Sequence, residues 1–289
     1  MNITASLVKE LRERTGAGMM DCKKALNDTN GDIEAAIEVM RKSGAAKAAK
    51  KAGRIAAEGI ISIKQKESDL VILEVNCETD FVAKDENFLS FAETIIEVII
   101  DHDIDDVNDL LKFNIVKQTV EEMRQQLIAK IGEKITIRRF EKHTYKNQVG
   151  LYLHGTRIGV VAEIEGGNEE LAKDIAMHIA ASKPLYIDEN NVAGEILDKE
   201  REIYMAQAQE SGKPAEIIEK MVEGRIKKYI KEITLLGQSF VKDPEQSIEK
   251  ILKSAEAKVI SFIRYEVGEG IEKRSDNFAE EVMSQAKGD

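Results

Sequence analysis

Cysteine is scarce in this chain. Cys22 and Cys77 stand far apart and outside any CxxC or Cys/His cluster, so neither a disulfide framework nor a zinc site is indicated. A reducing cytoplasm fits such usage, with both thiols read as small apolar residues in or near cores. The rival reading makes one of them a nucleophile. Long apolar runs are also missing: nothing approaches the roughly 18 uninterrupted apolar residues of a membrane span. Met1-Asn2-Ile3-Thr4-Ala5-Ser6-Leu7 has no basic n-region, apolar h-region or cleavage site, so no export or transit signal is expected. With 33% charged and 43% apolar residues, the composition is that of a soluble protein with no membrane role.

The usual marks of chemistry are absent as well. No GxxxxGK[ST] loop occurs, and Gly268-Glu269-Gly270 lacks both the further glycine and a following βαβ pattern, so no nucleotide cradle is expected. His102, His143, His154 and His178 show no ligand spacing, and no GxSxG elbow presents a serine. No catalytic residue, metal or cofactor is therefore expected. Basic charge is in deficit: 53 acidic against 42 basic residues give a net charge of −11, which repels a phosphate backbone unless cations are locally concentrated.

What is present is organised in modules. The 289 residues exceed the usual domain size of about 100–200, so two or three units are expected. Residues 1–44 carry three helical patterns punctuated by Gly16, Gly31 and Gly44; Ile33, Ala36, Ile37 and Met40 form a clear i, i+3, i+4, i+7 face. An Ala/Lys stretch from Ala45 to Arg54 reads as a helical or flexible connector. The period then becomes strand-like at Gly59–Ile63 and Leu70–Val75, ahead of a helix with Phe88, Phe91, Ile95 and Ile99 on one side. The same order recurs at Gly150–Leu153, Ile158–Ile164 and Glu169–Ser182. A helix near Val116–Ile131 and a strand at Ile135–Phe140 join the two. Two amphipathic helices flank Ser211-Gly212-Lys213-Pro214, with Ile196, Ile203, Ile217, Met221 and Ile230 as a rough stripe. That hairpin packs on itself, with pairing to a second copy left open. A strand-like stretch, Val259–Val267, and a helix near Asn277–Gln285 complete the chain. The fold class is α+β. Its segments are 1–54 (helical module with linker), 55–140 (first core subdomain), 141–186 with 234–265 (second core subdomain), 187–233 (helical hairpin) and 266–289 (C-terminal helical module).

Two local features invite function. Glu78-Thr79-Asp80-Phe81-Val82 places an aromatic between a strand ending near Cys77 and a helix beginning near Asp85. By spacing alone Phe81 is either a hydrophobic staple packed back near Phe88, with Asp80 supporting the turn, or an exposed wedge for a partner's pocket. The staple is the plainer reading. The cluster Lys42, Lys47, Lys50, Lys51 and Arg54 suggests RNA binding as an alternative function, but no interleaved aromatic residues offer to stack bases. Met19-Met20 fits ordinary helix packing and an adaptable contact surface equally well.

Longer strings carry a resemblance. The run from Leu11 to Leu26, LRERTGAGMMDCKKAL, is similar to the N-terminal signature of the translation elongation factor Ts family. So are the stretches Glu74–Val82, Lys130–Glu133, His154–Gly159, His178–Pro184 and Phe262–Gly270, in order along nearly the whole chain. The resemblance implies a guanine-nucleotide exchange factor for elongation factor Tu with no covalent chemistry of its own. It implies a ubiquitin-associated-like N-terminal module, a two-subdomain core, a coiled-coil hairpin and a C-terminal module. The exchange motif falls on Thr79, Asp80, Phe81 and Val82, which disturb the partner's Mg²⁺ site, and the partner-binding positions fall on Arg12, Met19, Met20, Lys51, Gly132 and His154. The resemblance implies that the GDP-bound partner is preferred over the GTP-bound one. Ser239 stands where the family usually has proline, and Glu141–Val149 carries no clear signature.

Overall fold

The computed structural model describes residues 3–116, 118–210 and 212–272. The chain sorts into two compact units, one made of Met1–Gln65, Val71–Lys142 and the chain from Val267 onward, the other of Lys66–Leu70 and His143–Glu266.

In the first unit α1 (Ala5–Thr15) starts where the Thr4 hydroxyl accepts from Leu7 N–H (3.3 Å) and stops at Gly16, whose φ of 64° lies in the left-handed region. Next come α2 (Met19–Asp28) and α3 (Ile33–Lys51), the latter capped by Asp32 on Ala35 N–H (3.0 Å). Leu11, Cys22, Ala25, Leu26 and Ala36 form the small core of these three helices. Gly44 does not end a helix, contrary to the punctuation read from the sequence, and α3 carries the Ala/Lys stretch as helix as far as Lys51. One internal glycine costs about 1 kcal/mol, and the alanines and lysines that follow are good helix formers. A Cβ at Gly44 would lie 3.6 Å from the Gln125 carbonyl oxygen, an ordinary contact.

The core of this unit runs β1 (Glu58–Lys66), β2 (Asp69–Cys77), a 3-10 turn at Val82–Lys84, α4 (Glu86–Asp101) and α5 (Val107–Lys112). The two-residue strands β3 (Asn114–Ile115) and β4 (Gln118–Thr119) pair, and α6 (Val120–Ile131) and β5 (Thr136–Thr144) follow. The sheet order is β1-β2-β5. The stripe read from the sequence, Phe88, Phe91, Ile95 and Ile99, is buried against Val71, Leu73 and Val75. The helix expected from about Val116 begins at Val120, because Thr119 and Glu122 close a reciprocal capping box there (3.1 and 3.0 Å). The strand expected to stop at Phe140 continues to Thr144.

The second unit repeats the hairpin and helix as β6 (Gln148–His154), β7 (Ile158–Glu165) and α7 (Glu169–Ser182). Here α7 approaches so closely that a Cβ at Gly150 would fall 2.0 Å from the Ala172 carbonyl oxygen, so only hydrogen fits. The helices α8 (Gly194–Gln209) and α9 (Ala215–Ile233) pack on each other, and β8 (Ser239–Phe240), β9 (Asp243–Ser247), α10 (Ile248–Ser254) and β10 (Lys258–Glu266) follow. The sheet is antiparallel, in the order β10-β7-β6. The α8–α9 seam is Ala208, Ile218, Val222, Ile226 and Ile230 with Leu197, Tyr204 and Met205. The expected stripe was therefore partly misregistered: Ile203 and Ile217 are exposed, and the four-residue rhythm from Ile218 to Ile230 sets the contact face instead. Ser239 is exposed at the start of β8.

The mixture of helices and three-stranded sheets is α+β. The helix expected at Asn277–Gln285 lies outside the described residues. Among the described residues, no helix is long and apolar enough to cross a membrane.

Candidate functional site

The turn after β2 is closed by hydrogen bonds that converge on Thr79. Cys77 ends the strand, fully buried, and its thiol donates to the Thr79 carbonyl oxygen (3.1 Å). The Ala83 and Val82 N–H groups point back to the Thr79 carbonyl and hydroxyl oxygens (3.3 and 3.4 Å), closing a compact loop. Asp85 then caps α4 by accepting from Asn87 and Phe88 N–H (2.8 and 3.3 Å). The hydrogen bond its carboxylate accepts from the Asn87 side chain, with those from the Asn87 and Phe88 N–H groups, outweighs burial and holds the Asp85 carboxyl below its usual pKa.

Anchored at both ends, the loop presents Phe81 with 81% of its surface exposed. It does not pack back on α4, whose Phe88 is sealed in the core, so the staple role is excluded. Asp80 is also exposed and pairs with Lys84 across one turn (3.1 Å). Thr79 and Val82 are half-buried and form the base.

Other positions singled out in the sequence lie elsewhere on the surface. Met19 and Met20, at the start of α2, are 60% and 75% exposed, which favours a contact surface over packing within the module. Arg12 is exposed on α1. Lys51 ends α3, and its ammonium donates to the carbonyl oxygen of Gly132, the left-handed residue (φ 92°) that terminates α6. Both therefore sit beside the base of the Phe81 loop in the first unit. His154 ends β6 in the second unit, exposed, with its ring near Tyr152. A cavity of ≈ 710 Å³ between α1–α3 and α4 and α6 is lined by none of Thr79–Val82. The loop is a projection and not a receptor.

The loop holds a large apolar side chain out from the surface, and comparison with known proteins gives the family. The family model described as Elongation factor TS matches residues 78–269. The chain belongs to the elongation factor Ts family. Elongation factor Ts of Thioalkalivibrio sulfidiphilus is 63% identical over 292 residues, covering 100% of both chains. Those of Alkalilimnicola ehrlichii and Methylococcus capsulatus are 55% and 57% identical over 291 residues, covering 100% and 99% of each chain. Family membership makes the process protein biosynthesis, at the elongation stage of translation.

Two residues that hold the base of this loop were not singled out in the sequence. Glu133 accepts from Glu78 N–H (3.1 Å), Thr79 N–H (3.0 Å) and the Thr79 hydroxyl (2.7 Å). Glu78 accepts from Lys134 N–H (2.6 Å) and from the Arg54 guanidinium (3.3 Å). Both lie inside the strings that carry the resemblance, but no spacing rule joins residues 54 positions apart.

The two rival readings fare differently. Burial pushes the Cys77 thiol up to about 12, with the Glu133 and Glu58 charges adding to it, the reverse of what a nucleophile needs. Cys22 is buried in the core of α1–α3. In the basic cluster, Lys42 pairs with Glu38 (2.7 Å), Lys47 with Asp21 (3.6 Å), Lys51 with the Gly132 carbonyl oxygen and Arg54 with Glu78, contacts at the surface, where an exposed ion pair is worth only about 0–1 kcal/mol.

Proposed function

We propose that this chain binds elongation factor Tu in its GDP form and promotes GDP release and replacement by GTP, with Phe81 as the inserted wedge. The observation that carries this reading is Phe81 itself, a large apolar side chain held out on an anchored loop in a chain of this family. Burying a phenylalanine is worth about 1.5–3 kcal/mol, which an exposed Phe81 recovers only on entering a partner.

The nucleotide in such a partner is held by its phosphates and a Mg²⁺ ion, the strongest local charge, so displacing that ion or its waters loosens everything around it. Phe81 opens the gap between helices of the partner, and Asp80 disturbs the region of the ion. Asp80 is free to do so, because an exposed pair such as Asp80–Lys84 is worth only about 0–1 kcal/mol. Arg12, Met19, Met20, Lys51 and Gly132 of the first unit grip the partner, and His154 of the second makes a separate contact. In this reading α1–α3 are the ubiquitin-associated-like module, and α8–α9 are the coiled-coil hairpin, whose exposed Ile203 and Ile217 leave room for pairing with a second copy. The five segments of the sequence reading are its working parts. No covalent step is involved, the chain works in the cytoplasm, and nucleic acid is not a direct partner.

Linkage fixes a consequence: if the factor lowers nucleotide affinity by some ratio, nucleotide lowers the factor's affinity by the same ratio. Binding to elongation factor Tu, followed by titration calorimetry, should weaken as GDP is raised. An affinity indifferent to GDP would remove exchange from the account.

A further inference from the structure

We propose that Glu133 is the positioning residue of the exchange loop: it acts through Thr79 and the loop backbone, and does not touch the partner. The proposal rests on the wedge reading above and deepens it.

Three donors converge on this one carboxylate from the loop's first two residues, the N–H groups of Glu78 and Thr79 on Oε2 and the Thr79 hydroxyl on Oε1. An ionised carboxylate offers about four acceptor sites and no donor, and its hydrogen bonds are roughly twice as strong as neutral ones. The Thr79 hydroxyl in turn accepts from Val82 N–H and the Thr79 carbonyl from Ala83 N–H. Glu133 is thus linked through one residue to both sides of Phe81. Its own position is equally determined. Gly132 turns the chain out of α6 in the left-handed region, its carbonyl holds Lys51, and Lys134 bonds Glu78 with its N–H and the Arg54 carbonyl with its ammonium (2.9 Å). The end of α3 and the end of α6 therefore meet at the base of the loop. A wedge on a loose loop must be ordered at the moment of insertion, and an ordered one need not be. The cost of losing Glu133 then falls on the inserted state, and the encounter is left alone.

The experiment follows GDP release from elongation factor Tu at increasing factor concentration, separating the maximal rate from the half-saturating concentration. Glu133→Ala should lower the maximal rate by about tenfold or more, the ratio one lost charge-assisted hydrogen bond is worth. The half-saturating concentration should stay within about twofold. Glu133→Gln keeps one acceptor oxygen for the two N–H groups and should recover part of the rate. Hydrogen exchange in the free factor should show the Glu78 and Thr79 amides losing protection in Glu133→Ala. A folded Glu133→Ala with the wild-type maximal rate would overturn the proposal. So would a raised half-saturating concentration at an unchanged maximal rate, which would make Glu133 a partner contact. If Glu133→Ala fails to fold, Glu133→Gln decides the matter: its maximal rate must fall below wild type while the Glu78 and Thr79 amides lose protection, and a wild-type maximal rate contradicts the role. Phe81→Ala runs alongside. If it alone keeps the wild-type rate, the wedge reading fails, and the amide exchange still reports whether Glu133 holds the loop.

Discussion

Glu74 is a carboxylate on β2 with no exposed surface, held charged by what surrounds it. Arg138 and Arg139 of β5 reach its two oxygens (2.9 and 2.7 Å), and Asn76 and Gly268 N–H complete the set (3.1 and 2.8 Å). Burial pushes its carboxyl up, but the bonds from Gly268, Arg139, Arg138 and Asn76 together outweigh it and hold the group below the usual carboxylate value. A folded-state value below the unfolded one means that the stabilisation is complete above the ordinary carboxylate range near about 4.3 and is lost as pH falls through the folded value. Glu74→Gln should cost about 1.5–3 kcal/mol at pH 7 in urea unfolding, the worth of charge-assisted bonds to two partly exposed guanidiniums. The gap to wild type should narrow below about pH 4. None of this was legible in the sequence, because Arg138 and Gly268 lie 64 and 194 positions from Glu74 and leave no periodic trace. Phe81 was legible as a choice of two roles, and its exposure removed one.

The elements were read more easily than their contacts. The stripes on α3 and α4 and the two hairpin-plus-helix repeats have the periods that burial on one face imposes, and the structure has them. What spacing missed was set by neighbours far along the chain. At Gly44 a break was expected because glycine favours one locally, yet α6 passes alongside and the helix continues. Gly44→Ala should therefore raise stability by about 0.5–1 kcal/mol, the usual gain when alanine replaces a helical glycine. The new Cβ would meet Gln125 at ordinary contact distance, and thermal melts would show the change. In the α8–α9 hairpin, isoleucines at both 217 and 218 satisfied the pattern, and only the facing helix selected Ile218.

For the whole molecule, family and function came from strings spread along the chain, and the two units divide the proposed work. The first carries the Phe81 loop, its Glu133 latch and the exposed Met19 and Met20; the second carries His154 and the helical hairpin. A net charge of −11 suits a protein partner better than a nucleic acid. The central claim is that Phe81 works on the partner and contributes nothing to its own fold. Stopped-flow release of labelled GDP from elongation factor Tu, driven by wild type and by Phe81→Ala, tests it most directly. The variant should be slower by at least about tenfold, as for a central anchor residue, with a melting curve that overlays wild type. Wild-type release from a folded Phe81→Ala variant would contradict the account.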